Sequence, residues 1–133
     1  QNREKKQKQE LEEIKERLEL AVDGGNIGIW DWNVAEEFIH YNKNWAQMLG
    51  YKISELGNEL KTWTSLLHPQ DRDEAIQDVR DHLAGKTERY FNEHRLKTKS
   101  GNWKWIRDIG KVTERDENGK SLRIVGFYFD IDQ

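Results

Sequence analysis

The sequence predicts an α+β domain: a five-stranded antiparallel sheet with helices on one face, preceded by an amphipathic N-terminal helix. Two observations carry this. Apolar residues recur at helical spacing through four separate stretches but switch to strict alternation over the last third of the chain, and Gly, Asn and the single Pro fall between the periodic runs. An antiparallel sheet of this kind buries its apolar face by packing helices against it. At 133 residues the chain is long enough for one domain with a modest core.

In the first element, 2–22, Leu11, Ile14, Leu18 and Ala21 are spaced 3, 4 and 3 residues apart, an a/d seam. Only two heptads are apolar, so a short coiled coil and a solvated helix packed on its own domain both remain open. Asp23-Gly24-Gly25-Asn26 stops the helix. GIWDWN, Gly28 to Asn33, reads as a strand, and Phe38 to Tyr41 as its neighbour. Asn42 can cap a helix carrying Trp45, Met48 and Leu49, closed by Gly50. A shorter helix bears Trp63, Leu66 and Leu67 and breaks at Pro69; Asp71 and Glu74 have the spacing of a capping box for a fourth helix presenting Ile76, Val79 and Leu83. Three strands complete the chain, at about 88–99, 102–115 and 121–131, with turns at Ser100-Gly101 and Asn118-Gly119. Along the last strand Val125, Phe127, Phe129 and Ile131 share one face, and Leu122, Ile124, Gly126 and Tyr128 the other, so both faces need cover.

Composition narrows the function. Lys plus Arg (22) nearly balance Asp plus Glu (25), which gives no bulk electrostatic case for nucleic acid or an anionic membrane. No apolar run approaches the ~18 residues of a membrane span, so no membrane insertion is expected. The absence of cysteine removes disulfides and thiol chemistry and fits a reducing cytoplasm. The chain opens on Gln1 within helical sequence, as a piece of a longer protein would. His40, His68, His82 and His94 are scattered, with no HExxH, phosphate loop or nucleophile elbow, so neither catalysis nor a metal site is expected within the chain.

GIWDWN, NWAQMLGY, HPQDRDEA, the Glu93 and Arg95 pair in FNEHRLKTKSG, Trp105 and the ending VGFYFDID occur in an order that resembles the PAS domains of bacterial and archaeal sensor proteins. The resemblance covers roughly 20–132. It implies strand order 2-1-5-4-3, helices enclosing a pocket over one face, and a parent protein with a histidine-kinase or cyclic-dinucleotide output domain. It divides the chain into a linker or coiled-coil helix, 1–23, and a sensory domain, 24–133. Where such domains commonly end Asp-Ile-Thr, this chain has Asp132, which cannot donate as a hydroxyl does.

The resemblance turns Trp30 and Trp32 toward the helices, either as core packing or as cavity wall. The other cavity candidates are His94, Trp105, Arg107, Ile109 and Tyr128 from strands and Met48, Leu67, Ile76 and Val79 from helices. Haem ligated by His82 and non-covalent flavin against Trp105 or Trp32 are disfavoured, and a flavin-cysteine adduct is impossible. The expected function is a sensory and dimerisation module binding a small ligand; the alternatives are a homodimerisation domain with a solid core and a carbohydrate-binding module, the latter opposed by inward-facing tryptophans. The dimer would bury Leu11, Ile14 and Leu18 with Val125, Phe127 and Phe129. A two-residue Asn118-Gly119 turn would pair residues whose numbers sum to about 237, setting Arg107 opposite Asp130. Arg107, Asp130 and Asp132 are then candidates to relay a change in the pocket to the chain ends.

Overall fold

The computed structural model describes residues 2–132. Helix α1 (Asn2–Gly24) leads into β1 (Gly28–Asn33) and β2 (Phe38–Tyr41). Then come α2 (Lys43–Met48), a 3₁₀ turn (Ile53–Glu55), α3 (Leu60–Leu66) and α4 (Arg72–Leu83), followed by β3 (Tyr90–Lys97), β4 (Trp103–Arg115) and β5 (Ser121–Asp130). The sheet is antiparallel throughout, in the order β2-β1-β5-β4-β3.

Asn42 caps α2 as its side chain predicts: Oδ1 accepts from the Trp45 N–H at 3.0 Å and from the Ile29 N–H at 2.8 Å, so one amide starts the helix and ties it to β1. Asp71 behaves differently from the expected capping box. Its carboxylate makes no cap bond and instead accepts from the Arg95 backbone N–H at 2.9 Å and from its guanidinium at 2.9 and 2.8 Å. A bidentate Arg–carboxylate pair outcompetes a single neutral N–H for the same oxygens. The arrangement binds the start of α4 to β3.

Strand pairing corrects one expectation decisively. The Asp116 N–H bonds to the Lys120 carbonyl at 2.9 Å, so the β4–β5 loop holds three residues, Glu117, Asn118 and Gly119, with Gly119 at φ 81°. Asp116 Oδ1 accepts from the N–H groups of Asn118 and Lys120, which stabilises the longer turn. A three-residue loop shifts pairing by one position relative to a two-residue loop: Ile106 pairs with Asp130 and Arg107 with Phe129. With a side-chain period of 2, that single step turns every β4 residue to the other face. Ile106, Asp108 and Gly110 therefore face the helices, while Trp105, Arg107 and Ile109 lie on the outer face and do not reach the core.

The core lies between the sheet and α2, α3 and α4, with Trp45, Leu49, Leu96, Ile106 and Ile124 at 1% exposure or less. Its shape depends on a cross-strand glycine pair, Gly110 opposite Gly126. The indole of Trp30 lies across both glycines: a Cβ on Gly126 would fall 2.1 Å from Trp30 Cζ2, and one on Gly110 would fall 2.7 Å from it. Two missing side chains make the slot that the first tryptophan of GIWDWN fills.

Candidate functional site

Within this core Trp30, Trp32, Val79 and Tyr128 line a cavity of about 20 Å³, together with Asp108 and other aromatic side chains. That volume exceeds the ~10–15 Å³ a single water needs. Of the other cavity candidates, Met48, Leu67 and His94 are buried and Ile76 packs against the core, but none of the four lines the cavity. The correction for β4 holds here too: Arg107 pairs with Glu93 at 2.9 Å on the outer face, and the Arg95 guanidinium stacks over Trp105, 4.8 Å from the ring centroid.

The register that turned Arg107 out turned Asp108 in. Asp108 is 2% exposed, and its Oδ1 accepts the Trp30 indole N–H at 2.8 Å. Burial pushes its carboxyl well above the ordinary range, against the Trp30 bond and the nearby Tyr90 and Tyr128 hydroxyls, which favour the anion. The parity of β4 was the only sequence signal for this residue, and it depended on the length of one loop.

A second polar chain adjoins it. Trp63 donates its indole N–H to His94 Nε2 at 3.2 Å. Indole nitrogen is a donor only, so Nε2 is the acceptor and the proton sits on Nδ1, which donates to Asn92 Oδ1 at 2.9 Å. Asn92 Nδ2 in turn donates to Asp78 Oδ2 at 2.7 Å, on the half-buried side of α4. Burial lowers the His94 pKa to about 4, in keeping with a neutral ring. His94 Nε2 therefore makes no ion pair with Asp108 Oδ2, 4.0 Å away. Two phenols are left over: the hydroxyls of Tyr41 and Tyr90, on residues lining the cavity, are buried and make no hydrogen bond of good geometry, although Tyr90 lies near enough to Asp108 for each to shift the other's titration. Burial raises the pKa of each, so both are neutral at ordinary pH.

His82 is structural. It is 2% exposed, its Nε2 accepts the Val112 backbone N–H at 2.9 Å and its Nδ1 faces Thr87. Val112 stands where the β4–β5 register shifts, so the histidine bonds an N–H beside the irregularity. Asp130, removed from Arg107, pairs with Lys104 at 2.9 Å, and Lys104 also donates to the Met48 carbonyl at 3.0 Å. Asp130 Oδ1 accepts the Asp132 backbone N–H at 2.9 Å.

The outer face is only partly covered. Phe91, Ile109, Phe127 and Ile29 are cross-strand neighbours in one apolar row over β3, β4, β5 and β1. Phe91 is 51% and Phe127 40% exposed. No residue of α1 is buried, and Leu11, Ile14 and Leu18 are exposed along a groove that reaches Ile29.

This architecture recurs in solved structures. A sensory box histidine kinase/response regulator from Burkholderia thailandensis superposes with TM-score 0.75 at 31% identity, covering 87% of this chain and 85% of that one. The N-terminal domain of a diguanylate cyclase with PAS/PAC sensor from Marinobacter aquaeolei gives 0.70 at 23%, over 80% of this chain and 95% of that one. In sequence the chain is 27% identical over 130 residues to "Probable diguanylate cyclase DgcE" of Escherichia coli (strain K12), covering 96% of this chain but only 11% of that protein. The family model described as the PAS fold matches residues 38–128. With that match spanning most of the chain and the sheet order 2-1-5-4-3 beneath it, this chain belongs to the PAS-fold family.

Proposed function

We propose that the chain is the sensory and dimerisation module of a larger signalling protein with a histidine-kinase or cyclic-dinucleotide output domain, and that it binds a small molecule between the sheet and its helices. The observation that carries the ligand reading is the polarity of the core. Asp108 and the buried hydroxyls of Tyr41 and Tyr90 surround a small cavity in a domain where apolar side chains would be more stabilising. Such groups in a small core fit a binding task better than a packing task.

Dimerisation is supported by continuity. The exposed seam of Leu11, Ile14 and Leu18 and the outer row through Phe127 meet at Ile29, so a second copy would cover helix and sheet together. Val125 and Phe129 extend the same face of β5. For the relay, Asp130 is the residue of interest and Arg107 no longer is. Asp130 lies just beyond Tyr128, which pairs with Gly28, and Lys104 links it to the end of α2. Asp132 bonds back to it, so the chain end, the start of β1 and a helix over the core meet in one place.

The size of the cavity favours a second reading, a homodimerisation domain with a packed core, because about 20 Å³ holds no drug-sized molecule. Sedimentation of the parent chain and of Ile14→Glu, together with thermal shifts over a small-molecule panel, separates the two. A dimer dissociated by Ile14→Glu with ligand-dependent shifts supports the module; a dimer with no shift from any compound supports the structural reading; a monomer at tens of micromolar defeats both dimer claims.

A further inference from the structure

We propose that the cavity beneath Trp30 takes a small ammonium ion, ammonium itself or methylammonium, held by the Asp108 carboxylate inside an aromatic box. This deepens the ligand reading above and rests on it.

The lining decides the sign of the charge. Six aromatic rings wall the cavity, those of Trp30, Trp32, Tyr41, Trp63, Tyr90 and Tyr128, and Asp108 is the one ionisable acid among them, with no Lys or Arg. An aromatic ring attracts a cation over its face, and Asp108 adds an acid with no basic side chain beside it, so this lining favours a cation over an anion. The hydrogen-bonding groups agree. An ammonium ion is all donor, and the cavity offers the Asp108 carboxylate and the phenol oxygens of Tyr41 and Tyr90, the latter beside Asp108, that can accept. His94 cannot compete for Asp108, because its Nε2 is engaged as an acceptor by Trp63. The volume of about 20 Å³ sets the size: one heavy atom fits as the core stands, and a methyl group needs only small movement of the walls.

Proton accounting follows from the environment of Asp108. The titratable groups facing it are Tyr41 on β2, Tyr90 and His94 on β3 and Tyr128 on β5, with Asp78 of α4 beyond Asn92. The three phenols are raised by burial and His94 is lowered, so all four stay neutral at ordinary pH. Asp108 is the group that changes charge. Burial favours its protonated form in the empty cavity, and on binding the proton passes to the amine nitrogen lone pair, leaving an ammonium–carboxylate pair. Taken from the ammonium ion in solution, the net change is release of one proton to solvent.

Isothermal titration calorimetry of the 133-residue chain with ammonium chloride and methylammonium chloride tests this, with potassium chloride and methanol as controls, in two buffers of different ionisation heat. The expected result is saturable binding of the ammonium ions with about one proton released, absent with potassium and methanol, and weakened at least ~10-fold in Asp108→Asn. Tyr90→Phe, which keeps the ring and removes the hydroxyl, should weaken binding severalfold and provides the test if Asp108→Asn does not fold. Binding unchanged by either substitution, or without proton release, overturns the proposal. If methanol binds and the ammonium ions do not, the cation assignment falls and a ligand cavity stands; if no probe binds, the cation assignment falls, and thermal shifts over the small-molecule panel decide the ligand reading separately.

Discussion

Replacing Gly126 by alanine should be among the most damaging single-methyl changes in this domain. The added Cβ would lie 2.1 Å from Cζ2 and 2.3 Å from Cε2 of Trp30, and 2.5 Å from the Ile109 carbonyl oxygen. Neither neighbour can give way cheaply. The carbonyl belongs to a strand paired on both sides, and the indole is fixed by its 2.8 Å bond to Asp108 and by Tyr90 edge-on at 6.3 Å. Overpacking of this kind costs ~1–3 kcal/mol. Displacing Trp30 leaves the buried Asp108 without its donor, a further ~1–3 kcal/mol. A total near 4 kcal/mol follows, and at ~2.1 cal/mol/K of unfolding entropy per residue over 133 residues it lowers the melting temperature by about 14 °C. Thermal unfolding followed by circular dichroism measures this, with Gly24→Ala as control, since a Cβ there meets nothing within 4 Å. A Gly126→Ala melting point within about 2 °C of the parent would refute the glycine-slot account.

Asp108→Asn should change the pH dependence of stability in a defined direction. Because the folded carboxyl holds its proton above the unfolded value of 3.8, the folded state binds more protons in that window and stability falls as pH rises through it; the asparagine variant lacks this loss, so urea titrations should show its advantage growing upward from about pH 4. His94 acts in the opposite sense: with a folded pKa near 4 against 6.5 unfolded, it contributes stability that is lost as pH falls through that window, on the order of 3 kcal/mol, and His94→Gln should flatten that limb of the profile. His82→Phe keeps a buried ring but orphans the Val112 N–H, and equilibrium unfolding should register a loss of ~1–3 kcal/mol. In the full-length parent, Asp130→Asn weakens the pairing with Lys104, and output that no longer responds normally to signal while the domain stays folded is the expected result; unchanged output removes the relay role.

The sequence by itself determined the elements. Period and punctuation are local properties, so the β1 and β2 limits, the Asn42 cap and the hairpin at Gly119 were legible from neighbouring residues alone, and motif order supplied the strand order. What local pattern could not supply was the side of the sheet on which β4 places its residues. Trp105, Arg107 and Ile109 read as well inward as do Ile106, Asp108 and Gly110, and the choice rests on whether the turn after Arg115 holds two residues or three and on the two register shifts between Val112 and Arg115, which cancel. Asp116 decides it by capping the longer loop, a contact between groups whose sequence gives no count of the residues enclosed. The same limit hid the competition at Asp71, where a capping oxygen is taken by Arg95 from a strand 24 residues away. Tertiary structure alone brought Trp30 over Gly110 and Gly126 and onto Asp108, because a buried acid in an aromatic box is a property of three strands in register and of none of them singly.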